Sequence, residues 1–419
     1  MHKQKIIPRQ LRFLLSESIG DSPVTLIHGP RQCGKKTLAK IMGESIGYSY
    51  FTLDDADTRV VAQNDPMGFV SDCPDQAILD EIQRVPELFR ILKLSVDRNR
   101  KPGRFILTGS TNVLLIPELT DALVGRMETL RLHPLSQQEI EQSQAPSFLD
   151  RLFAGNFQTR RKKRLAMNLI DKIVAGGYPA ALVRPPGHRR STWYRNYVTD
   201  FIQKDVLDLA RIRSPEAIPK LLTAAANLTG QLFNASAMAL KLQMNHNTVR
   251  DYATLLEYQF LIERLPPWYS NRMKRLIKTP KIHVGDTGLA CALLGIDASY
   301  LSKNRDQLGR LVESFVFQEL KRQASASNKP NAFYHFRDRD GVEVDIIIER
   351  SAFELAGIKV KAAATVFNSD FKGLRKIKAA HPDKFTFGAV LYDGEICAGF
   401  GDGMYVVPIR MLWEDDQPS

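Results

Sequence analysis

Short apolar runs punctuate the first third of the chain: VTLIHG (residues 24–29), AILD (77–80) and RFILTG (104–109). Between them apolar positions recur at helical spacing, so the pattern predicts buried parallel strands joined by helices over residues 1–150. Residues 151–300 change character. LLTAAANL (221–228), ASAMALKL (235–242) and TVRDYATLLEYQFLI (248–262) carry the three-to-four spacing of amphipathic helices. Residues 301–419 open on a helical pattern, LVESFVFQELKRQ (311–323). Strand-like AFYHFR (332–337), VEVDIII (342–348), LAGIKVK (355–361) and FGAVLYD (387–393) follow, predicting a small α/β or α+β domain. The clearest loop signal is SASNKPN at 325–331, and no internal repeat is present.

Length and charge sharpen this picture. A chain of 419 residues exceeds one ordinary domain. No apolar run approaches the roughly 18 residues that span a membrane. Met1–Leu15 lacks a secretory apolar core, and the four cysteines (33, 73, 291 and 397) lack metal-ligand spacing, so a reduced, cytoplasmic protein is expected. Lysine and arginine outnumber acidic residues 58 to 46, a net charge of +12 that favours polyanionic partners, double-stranded DNA among them. The excess is uneven: Arg160–Arg164 reads RRKKR, and residues 264–281 hold six basic residues and no acidic one. A solvated surface explains such runs equally well.

The first strand runs into Gly29-Pro30-Arg31-Gln32-Cys33-Gly34-Lys35, followed by Lys36-Thr37. Strand, G-x-x-x-x-G-K and helix in that order form a phosphate-binding loop. Its glycines let successive backbone N–H groups converge on phosphate oxygens at the positive end of a helix, with Lys35 reaching the β- and γ-phosphates of ATP. The motif continues with Ser or Thr, whose hydroxyl holds Mg²⁺; here Lys36 stands in that place. Thr37 lies about 100° further round the helix and is no simple substitute. Lys36 either adds positive charge beside the phosphates or points to solvent. Nucleotide binding is thus better supported than hydrolysis.

The second strand ends in Asp80-Glu81. After a phosphate loop, such a pair supplies a metal ligand, Asp80 holding Mg²⁺ through water, and a general base, Glu81. The third strand ends near Thr108 and Ser110, which either orient the attacking water or close a hydrogen-bonded turn. Arg126, in LVGR, serves either as a transition-state cation within its own or a neighbouring subunit or as one half of a structural ion pair.

The motifs GPRQCGKKTL, ILDEIQRVPEL, ILTGSTN, LVGRMETLRLHPLS, GGYPAAL, LPPWYSNRMKRLIKTPKIHVGDTGL and GRLVESFVFQEL closely resemble, in order and over nearly the whole chain, a prokaryotic family of AAA-superfamily ATPases fused to a C-terminal domain of uncharacterised function. The resemblance implies an α/β fold: a P-loop AAA-like ATPase domain (1–150), a helical, winged-helix-like middle (151–300) and a restriction-endonuclease-like α/β domain (301–419). It implies Thr at the position of Lys36. Such ATPases often complete their sites across subunits, so a homo-oligomer is a further expectation, as is a protein partner.

Two patterns remain. Ala235–Leu242 and a helix from His246 match a helix-turn-helix, with Asn245, Asn247, Thr248 and Arg250 set to meet a major groove. Phe260–Leu265 would form a wing, and Arg272, Lys274, Arg275 and Lys278 would meet phosphates. A lid or partner surface is the competing reading. In the last domain, Glu313, Asp345, Lys359 and Lys361 fall where a restriction-like nuclease places a helical Glu, an Asp and Glu-x-Lys. Lys359 replaces the family's usual Glu with a cation; Glu354 and Glu343 are the candidates to substitute, though nothing in the spacing points to either. Cleavage is therefore expected to be lost.

Overall fold

The computed structural model describes residues 6–111, 125–201, 214–269 and 279–414. Arg272, Lys274, Arg275 and Lys278 lie outside them.

The apolar runs of the first third form a five-stranded parallel sheet: β1 (Val24–His28), β2 (Ser49–Thr52), β3 (Ala77–Asp80), β4 (Phe105–Gly109) and β5 (Met127–Arg131), ordered β2-β3-β4-β1-β5. Side chains alternate across a strand, so each run feeds two cores. Val24, Leu26, Ala77, Leu79, Phe105 and Leu107 pack with Leu88, Phe89, Leu92 and Val96 of the helix Glu87–Arg98. Ile27, Ile78 and Ile106 meet the other layer, Leu11 and Leu15 beside helix α1 (Arg12–Asp21) and Leu38 and Ala39 of α2 (Lys35–Glu44). Each of the valine, leucine, isoleucine and phenylalanine side chains among these contributes about 1.5–3 kcal/mol by leaving water.

This first compact unit comprises Met1–Leu135 together with Tyr258–Phe260 and Ser325–Asn328, and the rest of the chain forms the second. Packing crosses both expected boundaries. Near the first, the Gln137 N–H bonds Glu319 at 2.9 Å and the Phe148 N–H bonds Gln323 at 2.9 Å, tying both turns to the long helix Arg305–Ser325. Near the second, residues on either side of 300 share one core. Phe148, Leu152, Val284, Ala290, Leu311, Phe315, Ile346 and Leu391 are all buried in it.

Within the second unit, β6 (Arg160–Arg161) comes first; the helix Ala217–Asn227 is followed by β7 (Gln231–Leu232), the helices Ala235–Leu242 and His246–Tyr258, β8 (Ile262–Leu265) and β9 (Lys281–Val284). Strands β7, β9 and β8 form a small antiparallel sheet in that order. Asp286 fastens this region: its carboxylate caps the helix Thr287–Leu294 through Gly288 and Leu289, and accepts from the Gly177 N–H at 2.7 Å and the Tyr194 hydroxyl at 3.0 Å. The remaining strands are β10 (Ala332–Arg337), β11 (Glu343–Ser351), β12 (Glu354–Lys361), β13 (Phe385–Tyr392), β14 (Ile396–Gly399) and β15 (Met404–Pro408). They build a sheet ordered β10-β11-β12-β13-β15-β14-β6, antiparallel from β10 to β12 and parallel from β12 through β13 to β15. The basic run at 160–164 is partly neutralised on its edge, where Arg161 pairs with Glu395 at 2.6 Å and Arg164 with Asp393 at 2.9 Å.

Three histidines are buried neutral. Burial, reinforced by nearby cations, holds His28 and His283 down at about 3 and His335 at about 4. Unfolded, each takes a proton near 6.5, so below that pH the unfolded chain binds more protons and stability falls as pH falls. Each histidine is expected to remove about 1.4 kcal/mol by pH 5.5. Urea unfolding followed from pH 7.5 to 5 checks this, and a midpoint independent of pH refutes it.

Candidate nucleotide-binding site

All five strands of the first sheet point their C-terminal ends to one edge, and the loop 29–35 leaves β1 there. Gly29 is required by close approach, since a Cβ would stand 2.0 Å from the Leu132 carbonyl oxygen. Gln32 and Gly34 both adopt positive φ, 58° and 106°, which curls the loop ahead of α2. Arg9 braces this curl by donating to the Cys33 carbonyl at 2.7 Å and the His133 carbonyl at 2.6 Å. The Cys33 thiol, buried and pushed up by that burial, donates to the Leu132 carbonyl. Lys35 is buried and folded onto its own loop, donating to the carbonyls of Gly29 at 2.9 Å and Pro30 at 3.0 Å. Arg131, in register with His28 at the end of β5, adds a further cation at this edge.

The acidic pair stands on β3, with β4 between it and β1. Two strand spacings place it about 10 Å from the loop strand, a separation that a triphosphate lying along the edge can bridge. Asp80 is buried and accepts hydroxyl protons from Tyr50 at 2.5 Å, from Thr52 at 3.2 Å and from Thr108. Glu81 adopts a left-handed backbone, φ 59°, a conformation that costs a non-glycine residue about 1 kcal/mol or more. The turn carries its carboxylate to the Ser110 hydroxyl at 2.7 Å and the Gln83 amide at 2.5 Å, while the Glu81 N–H bonds Thr108 at 3.1 Å. Thr108 thus bonds both members of the pair, through the Asp80 carboxylate and the Glu81 N–H, and Ser110 bonds the Glu81 carboxylate.

Mg²⁺ does not fit these residues as it fits the motif. Lys36 offers no oxygen, Thr37 is exposed one position round the helix, and three of the roughly four lone-pair positions of Asp80 already accept protons. An ammonium about 4 Å from a divalent cation repels it by roughly 8 kcal/mol at an effective dielectric near 20.

Arg126 is not brought to the loop. It pairs with Asp97 through two contacts, 2.6 and 3.1 Å, and directly precedes Met127, which lies in register with Val24 at the opposite end of β1. Five residues along a strand separate it from Arg131 at the loop edge, about 16–17 Å. Within its own subunit it is a structural ion pair.

In the second unit, Asn245, Asn247 and Arg250 are exposed and Thr248 half-buried, whereas Val249, Tyr252, Ala253 and Leu256 face the core. The Asn245 side chain accepts from the Asn247 N–H at 2.8 Å and starts the second helix. The acidic set also assembles, with cations inside it. Asp345 accepts from Lys359 at 3.0 Å and from the Val360 N–H at 2.7 Å. Lys281, from β9, reaches Glu313 at 2.8 Å and Asp345 at 3.5 Å, and Lys359 also holds Glu343 at 2.8 Å. Burial outweighs both lysines and pushes Glu313 up to about 7. Lys361 pairs instead with Asp370 at 2.6 Å. Among the described residues no group of three or more His, Cys, Asp or Glu is placed to share a metal ion.

Residues 21–141 match an AAA domain, and residues 167–300 and 308–412 match two domains of unknown function, DUF8612 and DUF4143. The uncharacterized proteins Mb2031c of Mycobacterium bovis and Rv2008c of Mycobacterium tuberculosis are each 31% identical to the chain over 402 residues, 95% of this chain and 82% of theirs. Among solved structures, the Walker-type ATPase PABY2304 of Pyrococcus abyssi matches with a TM-score of 0.43 at 16% identity, over 70% of this chain and 97% of that one. The chain belongs to the family of these two mycobacterial proteins, with an AAA domain toward its N-terminus and the domain of unknown function DUF4143 toward its C-terminus.

Proposed function

We propose that the protein is an ATP-binding switch with slow turnover, whose nucleotide state is coupled to duplex DNA held by the middle of the chain. The observation that carries this reading is the curled loop with Lys35 on the same sheet edge as Glu81, whose carboxylate Ser110 and Gln83 hold. Phosphates of ATP displace the Gly29 and Pro30 carbonyls from Lys35, the loop amides and α2 take the remaining charge, and Glu81 accepts the proton of the attacking water. The order of helix, strand, two helices and two strands from 217 to 284 supports a winged helix, with Asn245, Asn247 and Arg250 on its exposed face.

The last sheet, preceded by the helix Arg305–Ser325, supports a restriction-endonuclease-like fold that does not cleave, because Lys281 and Lys359 fill the space between its carboxylates. Lys36 favours a second reading, an adaptor that binds nucleotide and DNA without turnover.

Phosphate release from the full chain decides between them. Slow release, lost in Lys35→Ala, raised by duplex DNA and unresponsive to DNA in Arg250→Ala, is the expected result. Release equal to that of Lys35→Ala, with ATP still bound, leaves the adaptor.

A further inference from the structure

Lys36 occupies the first turn of α2 at the position where the loop motif carries a hydroxyl for Mg²⁺. Its side chain is exposed, and its ammonium lies 4.9 Å from the centroid of the Tyr50 ring. The hydroxyl of that tyrosine is the 2.5 Å donor to Asp80. Cation, ring and carboxylate form one chain of contacts from the loop to β3, at the positions that otherwise share a metal ion. Mg²⁺ requires close to six oxygen ligands at about 2.0–2.1 Å, and an ammonium supplies none. Asp80 is occupied in its turn by Tyr50, Thr52 and Thr108, of which Tyr50 and Thr52 come from β2.

An exposed cation–aromatic contact is weak, so a phosphate that offers charge-assisted hydrogen bonds draws the ammonium off the ring. Lys40 sits over the same ring at 4.3 Å and stays there when Lys36 leaves. The released ammonium, on a flexible four-carbon stem one residue beyond Lys35, has the charge and the reach to meet phosphate oxygens.

Resting on the reading that this loop takes ATP, we propose that it does so without a divalent cation: Lys36 supplies the positive charge that Mg²⁺ supplies in the motif, and Asp80 is a structural acceptor that fixes β2 and β4 against β3. The ligand is then a metal-free nucleoside triphosphate, recognised by two adjacent lysines and the loop amides.

The test is titration of the full-length protein with a fluorescent N-methylanthraniloyl ATP, once in EDTA and once in excess Mg²⁺ at matched ionic strength. Dissociation constants within about twofold of each other are expected for the wild type, since no metal ligand is being supplied or withheld. Lys36→Thr is expected to bind about tenfold more weakly in EDTA and to recover in Mg²⁺, because the hydroxyl restores the missing ligand. Wild-type binding that appears only with Mg²⁺ overturns the inference and leaves ATP binding intact. Lys36→Thr binding as tightly as wild type in EDTA also overturns it. Absence of binding in both buffers removes the ATP reading itself and this inference with it.

Discussion

Glu81→Gln is expected to leave ATP bound while lowering phosphate release by about 10²–10⁴-fold, the range that a positioned general base contributes. The substitution preserves shape and removes the proton acceptor. It also preserves the local bonds. The new side-chain oxygen still accepts from Ser110, and the new amide meets Gln83, whose own Oε1 is buried without a partner and becomes its acceptor once that amide turns over. The left-handed turn at residue 81 depends on the backbone and on Thr108, so it survives as well. Unchanged phosphate release in this variant, measured beside unchanged nucleotide affinity, would remove Glu81 from the reaction.

Lys281→Ala is expected to cost the second unit about 3–5 kcal/mol, the usual consequence of stranding a buried charge whose partner has been deleted. Lys281 is buried, and its ammonium is the neighbour that Glu313 and Asp345 share. Lys359 remains to hold Asp345, so the stranded group is chiefly Glu313. That residue already sits near 7 in the intact protein. Its protonation removes the stranded charge, so the loss should shrink as pH falls from 8 to 6. Replacing Glu313 by Gln together with Lys281 by Met removes both charges and should recover most of the stability, since a buried pair exchanged for neutral groups is often neutral or better. Denaturant unfolding of the single and double variants at both pH values is the measurement. A loss below about 1 kcal/mol in Lys281→Ala would mean that the cluster is open to water and screened.

Much of this was legible in the residues themselves, for reasons that differ by element. The buried strands β1, β3 and β4 read as short apolar runs because both faces are covered, and the loop motif and Asp80-Glu81 follow directly from their ends. β10 to β13 were equally plain, as were the two helices at 235 and 246. β2 was not, because Ser49–Thr52 is half-buried throughout and has no apolar period, yet it carries the Tyr50 and Thr52 hydroxyls that occupy Asp80. Arg9 lies far from the loop in sequence and belongs to no motif, so nothing local marks it as a brace. Lys281 escaped for the same reason: it reaches the acidic cluster from β9, 64 positions before Asp345 in the chain. Arg126 stayed open between two roles because a motif-like position says nothing about which end of a strand it occupies; its pairing with Asp97 matches the ion-pair alternative.

The interleaving of the two units bears on how such a protein can be inherited. Residues 258–260 and 325–328 belong to the nucleotide-binding unit although the sequence on either side of each belongs to the other. Phe260 is the ring that His28 meets at 5.6 Å and that Arg131 covers at 5.0 Å, at the end of β1 from which the phosphate loop leaves. Recombination that exchanged the first 135 residues alone would import a loop strand without the aromatic partner of its histidine.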